Sequence, residues 1–174
     1  MRQRVLNAVA AMVMAIPAVL IVGAGPAGAD GPTGGGGATG AGGATLVAFA
    51  QTFRRCDFSS RTYTDPTAYA RPSAVVRHVG SEVIADVQIA TAKPNMAYNV
   101  AMVQMPRSSA TGCNPGDPGV IGGLLFTDPT GAGSVTIRGP VASGATGVWM
   151  YVSRPGEFSQ TPEEYYTSDF VVSL

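Results

Sequence analysis

From residue 44 onward, apolar and polar side chains alternate in short runs broken by Gly and Pro. The clearest run is 82–91, where Val83, Ala85, Val87 and Ile89 point one way and Glu82, Asp86 and Gln88 the other. A period of two predicts a half-buried strand, because successive side chains of an extended backbone point to opposite faces. The same pattern marks 46–53, with Val47, Phe49 and Phe53 on one face, and continues through 74–79, 121–127, 134–138, 148–153 and 166–174. Residues 60–64 form a weaker candidate. Residues 96–105 are apolar on both faces, which predicts a central strand.

Turn chemistry separates these runs. Lys93-Pro94-Asn95, Asp128-Pro129-Thr130-Gly131 and Arg154-Pro155-Gly156 supply a preset φ at Pro or a tolerated positive φ at Asn and Gly. Helical periodicity is missing except for one predicted turn over 162–166, with Thr161 as its cap and Pro162 at its first position. Strands every 8–12 residues predict an all-β domain over 44–174, an antiparallel β-sandwich that is Ig-like only loosely. Trp149 follows both cysteines instead of lying between them, so an antibody-type core is not expected.

The N-terminal quarter differs. Arg2 and Arg4 precede an apolar stretch from Ala8 to Val22, interrupted by Pro17, and Ala27-Gly28-Ala29 then offers small residues at the two positions a signal peptidase reads. Residues 1–29 therefore read as a secretory signal peptide, cut between Ala29 and Asp30. An uncleaved anchor is the competing reading; Pro17 and the small-residue exit favour cleavage and leave no membrane span afterwards. Without a cysteine near the cut there is no lipid attachment point, and without an adjacent Arg pair a general secretory route is expected. Residues 30–43 are Gly, Ala, Thr and Pro after Asp30, with Gly34 to Gly37 unbroken, and read as a flexible tether.

Export changes the meaning of Cys56 and Cys113, the only two cysteines. Outside the cytoplasm an even count predicts a disulfide. Closing so long a loop contributes roughly 4 kcal/mol as an upper estimate, a large share of the 5–15 kcal/mol or so that holds a typical domain. Cys113 lies in the longest irregular stretch, 106–119, with three Pro and three Gly, so the bridge would pin that loop to the end of the first strand. Formal net charge is zero, and loss of Arg2 and Arg4 leaves nine basic against eleven acidic side chains. That balance excludes a general nucleic-acid binder.

Candidate chemistries give little. Gly23-Ala24-Gly25-Pro26-Ala27-Gly28 matches a dinucleotide fingerprint, but the glycine run that follows cannot open the helix whose N-terminus would hold a pyrophosphate. His78, the sole histidine, sits among strand residues and no nucleophile elbow accompanies it, so no catalytic residues are assigned. Glu82 with Asp86 and Glu163 with Glu164 read as a solvated strand face and a charged turn, which leaves a carboxylate hydrolase as a minor alternative. Asp117, Asp128 and Asp169 fall in or near loops as ordinary turn formers, and neither a metal nor a cofactor is expected.

One stretch suggests recognition. Arg154, Phe158, Tyr165 and Tyr166 concentrate arginine and aromatic rings, the composition of binding surfaces, although covering the open end of a sandwich would use the same residues. The expectation is a secreted or envelope-associated, non-enzymatic domain that binds a protein, glycan or lipid. The alternative is a carrier of an apolar ligand, with Met96, Met102, Met105 and Met150 leaving room inside. The signal, the glycine tether, Ala97-Tyr98-Asn99-Val100, Cys113, Phe126-Thr127-Asp128, Trp149 and Tyr166-Thr167-Ser168 together resemble small exported proteins of unknown function from mycobacteria and their relatives. That resemblance implies secretion and carries no catalytic residues.

Overall fold

The computed structural model describes residues 39–40, 43–62, 69–156 and 161–174. Their strands are β1 (Thr39–Gly40), β2 (Ala44–Ala50), β3 (Phe53–Arg54), β4 (Ser60–Arg61), β5 (Arg71–Val79) and β6 (Glu82–Ala90). Then follow β7 (Ala97–Met105), β8 (Val120–Phe126), β9 (Gly133–Pro140), β10 (Gly147–Arg154), β11 (Glu164–Ser168) and β12 (Val172–Ser173). Every pairing is antiparallel, and the described residues contain no helix.

The main strands follow one hydrogen-bonded path, β8-β7-β10-β11-β2-β5-β6-β9. It divides into two four-stranded layers that share an apolar core, with β2, β5, β6 and β9 on one side and β8, β7, β10 and β11 on the other. The layers are stitched together where Thr167 and Ser168 of β11 pair with Ala50 and Phe49 of β2. The far ends of the path, β8 and β9, meet through side chains that glycine makes room for. A Cβ on Gly123 would lie 2.7 Å from Ile137 Cγ2, and one on Gly139 would lie 2.8 Å from Ile121 Cδ1. The sandwich is therefore nearly a barrel, which leaves its edges shielded.

Alternation placed the core correctly. Val83, Ala85 and Val87 are fully buried and Ile89 nearly so, while Glu82 and Gln88 face solvent. As its pattern predicts, β7 is buried on both faces: Tyr98, Val100 and Met102 enter the core between the layers, and Ala101 and Val103 enter a second apolar cluster outside. All eight residues of β10 are buried for the same reason. That outer cluster holds Trp149 and Tyr151 beneath Phe58 and Cys113. A sheet face that would otherwise be wet has been given a lid.

Four boundaries depart from expectation. The first strand ends at Ala50, and Phe53 starts a separate hairpin, so Phe53 leaves the face it was expected to share with Val47. Thr39 and Gly40, within the stretch read as a free tether, pair with Thr45 and Ala44. The final strand is interrupted at 169–171 and resumes as β12 against β10. The helical turn over 162–166 does not form: Glu164, Tyr165 and Tyr166 are paired in β11 with Arg154, Ser153 and Val152. There the ladder and an inward Glu164–Arg154 pair outweigh a favourable cap, as tertiary context commonly does.

The turn at Asp128 is built as its sequence suggests. Asp128 Oδ1 accepts hydrogen bonds from Thr130 N, Thr130 Oγ1 and Ala132 N, and these hold its carboxyl below the usual range, Thr130 contributing most. Gly131 adopts φ 78°, and a Cβ there would collide with Ala92 O. Gly131→Ala should therefore cost about 1–3 kcal/mol from overpacking beyond the penalty for its backbone angle. Gly144 has φ 79° with open space where a Cβ would go, so Gly144→Ala should show only the backbone penalty, about 1 kcal/mol. Urea midpoints at unchanged slope measure both, and equal losses would refute the steric account.

Candidate functional site

The hairpin of β3 and β4 pairs Phe53 with Arg61 and Arg54 with Ser60. Its turn is closed by Asp57, whose Oδ1 accepts from Ser59 N at 3.0 Å and from Ser59 Oγ at 2.6 Å, with Phe58 at φ 68°. These Ser59 bonds are the main reason the Asp57 carboxyl is held below its ordinary range. Arg54 lies over the Phe58 ring, 3.9 Å from its centroid, and donates from Nη1 to Phe58 O and Ser60 Oγ. So short a hairpin has no core of its own.

Three contacts hold it against the outer face of the β7–β10 layer. The Cys56–Cys113 disulfide joins it to the 106–119 loop, with the Cα atoms 5.5 Å apart. Phe58 packs on Trp149 at 5.8 Å between ring centroids, and Phe53 on Tyr165 at 4.6 Å. The 106–119 loop is also held by polar contacts that no sequence pattern foretold. Arg107 donates to Gly112 O and Pro118 O, and Tyr151 donates its hydroxyl to Cys113 O at 3.1 Å.

Between hairpin and loop lies an open cleft of about 550 Å³. Arg54, Arg55 and Arg61 line its hairpin side and Ser109 and Asn114 its loop side. Phe53, Tyr151, Tyr165, Asn99 and Ser153 complete the lining that matters for recognition. Tyr151 and Tyr165 stack at 5.5 Å with 21° between their planes, and Tyr151 meets Trp149 at 5.9 Å. Aromatic contacts thus run unbroken from beneath the disulfide to the cleft. Among the described lining residues none carries a carboxylate. Three guanidiniums gathered there make the lining itself positive, with Asp57 close to Arg55 and Asp117 close to Tyr151 as the nearest counter-charges.

The residues expected to form a recognition surface divide by strand alternation. Tyr165 faces outward and lines the cleft. Arg154 and Tyr166 face inward into the core and take no part in the cleft lining. Arg154 Nε donates to Glu164 Oε1 at 2.8 Å, and its Nη1 pairs with Glu163. Tyr98 and Tyr166 both donate to Glu164 Oε2, while their hydroxyls accept from Lys93 N and Ala70 N. This plug satisfies a buried charge pair on nearly every side and closes one end of the core. Phe158 and the cleavage residues Ala27, Ala29 and Asp30 lie outside the described residues.

Other candidates are occupied structurally. Asp86 takes hydrogen bonds from Thr136 and Arg77, the former being the larger cause of its lowered pKa. Asp117 Oδ2 accepts from Asn114 N within its own loop. His78 is exposed on β5, opposite Val83. No group of three or more potential metal ligands occurs among the described residues. The sequence signal for the cleft was Phe53-Arg54-Arg55-Cys56, an aromatic and two cations beside a cross-linking residue.

No family model matches the chain, and no curated protein or solved structure matches it.

Burial raises the Tyr151 phenol to about 12, with the nearby Asp117 charge adding to it. Burial is also the leading reason that Tyr98, Tyr165 and Tyr166 are raised. The unfolded chain releases these protons near pH 10 while the folded chain keeps them. Their contribution is thus complete below about pH 10 and is lost as pH climbs toward the folded values. Stability should fall above about pH 10, with the bulk of tyrosinate absorbance appearing together with unfolding. Free ionisation of these rings in a still-folded protein would contradict their burial.

Proposed function

We propose that this chain is an exported, non-enzymatic binding domain of the extracellular space or cell envelope, and that the arginine–tyrosine cleft is where it binds. The observation that carries the reading is the disulfide-held hairpin, which sets three guanidiniums beside stacked tyrosine rings. Such a hairpin contributes nothing to the main sheet ladder, yet a covalent bond is spent on holding it. Export is supported by the N-terminal signal pattern and by a disulfide, which persists in oxidising compartments. No helix among the described residues is long and apolar enough to cross a membrane.

Binding rather than turnover is supported by the groups present. The described cleft lining offers guanidiniums, amides, hydroxyls and phenols, and the burial-raised phenols are poor proton carriers near neutral pH. A surface site is favoured over an enclosed one by the packing of Met102, Met150 and Leu125, each 0% exposed, where an internal apolar ligand would have to sit.

Arg55 and Arg61 are exposed, so replacing both by Ala should leave the urea midpoint nearly unchanged. Protein recovered after export should begin at Asp30. The double variant should be retained on washed host envelopes about tenfold less than the parent protein, an effect on the order expected for losing two charge-assisted contacts. Equal retention would remove the cleft from the account.

A further inference from the structure

We propose that the cleft takes an acidic carbohydrate, a short run of sugar rings bearing carboxylate groups. This ligand class presupposes that the cleft is the binding site and says what fills it. Three features of the lining each demand something different of that ligand.

The guanidiniums demand an anion. Arg54 and Arg55 use Nη1 on Ser60 Oγ, Ser60 O and their own turn, which fixes the side chains while most of each five-donor fork is left for other acceptors. Arg54 Nε is buried with no partner. Planar forks of this kind match a carboxylate with two parallel hydrogen bonds. The positive charge is local, on a chain whose total is balanced. It suits one or two compact charges and not a polyphosphate backbone, which needs many contacts along a basic surface.

The amides and hydroxyls demand more than an anion. Asn99, Asn114, Ser109 and Ser153 each both donate and accept. A bare carboxylate offers only acceptors, and inorganic phosphate adds no more than a P–OH or two, so most of the accepting half of these groups would go unused. A polyhydroxylated ligand uses both halves.

The rings demand a flat apolar face. Phe53 and Tyr165, both half-buried, line the cleft with Phe53 tilted against Tyr165, and the buried Tyr151 stacks on Tyr165 and backs that surface. The C–H face of a pyranose packs on such rings while its hydroxyls point sideways to amides. A volume of about 550 Å³ falls within the range of about 300–1,000 Å³ usual for small-molecule sites and far exceeds a single ion. An acidic peptide would supply carboxylates but neither the vicinal hydroxyls nor the ring faces.

The test is calorimetric titration of the exported protein with trigalacturonate, its methyl ester, inorganic phosphate and triglutamate. Trigalacturonate should bind, and the other three should bind about tenfold more weakly or worse, as expected when charge-assisted contacts or partners of buried polar groups are lost. Arg61→Ala should weaken the acid by about tenfold and leave the ester unchanged, and Asn99→Ala should weaken both. Amide shifts on titration should map to residues 53–61, Asn99 and Tyr165. Equal binding of acid and ester overturns the carboxylate. Phosphate or triglutamate binding as tightly as trigalacturonate overturns the sugar. If trigalacturonate fails to bind while the double-arginine variant still loses envelope retention, the sugar assignment alone falls. If retention is also unaffected, the cleft falls with it.

Discussion

The arrangement depends on a covalent tie that covers the wrong side of a sheet. In an ordinary sandwich one face of each layer meets the core and the other meets water. Here β7 and β10 carry apolar side chains on both faces, and Trp149, Tyr151 and Val103 need cover outside the sandwich. The cover consists of a hairpin with only two residues in each strand and a loop rich in Pro and Gly. The hairpin has no core of its own, and the loop's Arg107 bonds shape the loop without joining it to the hairpin. The bond between Cys56 and Cys113 joins the two covers to each other, and Phe58 and Phe53 then seat them on the aromatic face. In the chain-entropy account the bond acts mainly by restricting the unfolded chain; here it also decides which surface exists.

The cleft follows from that tie. Its arginines belong to the hairpin, its amide and hydroxyl at Asn114 and Ser109 to the loop, and its tyrosines and Asn99 to the sheet. Three segments distant in sequence meet there, the bridge joining the first two while ring contacts and the Tyr151 hydroxyl seat them on the third. Strand alternation then sorts charge from charge. On β11, Glu164 and Tyr166 turn inward, where Glu164 satisfies Arg154, and Tyr165 between them turns outward into the cleft. Ionic chemistry inside the sandwich is thereby closed, and ionic chemistry in the cleft is open.

Much of the fold was legible because period-two burial is a local signal. Val83 to Ile89, the doubly buried β7 and the turn at Asp128 could be read from neighbouring residues alone. The disulfide was legible from the cysteine count together with the export expected from the N-terminal pattern. The helical turn at 162–166 was misread because Thr161 and Pro162 are good local helix starters, whereas the partner that draws Glu164 into a strand is Arg154, ten positions away. The cleft was missed for a related reason. Its aromatic and basic side chains come from 53–61, 151 and 165, and a stretch rich in arginine and tyrosine, such as 154–166, looks like a surface until pairing register shows which residues face in.

Trp149 is the only tryptophan in the chain and lies fully buried beneath the cover, which makes it a direct reporter. Acrylamide quenching of its fluorescence, compared in oxidised protein and in protein reduced under native conditions, tests the central claim. Reduction should loosen the hairpin and loop and expose Trp149 to the quencher while the strand signature in far-ultraviolet circular dichroism is retained. A Trp149 that stays equally shielded after reduction, with the strands intact, would show that the cover holds without the bridge.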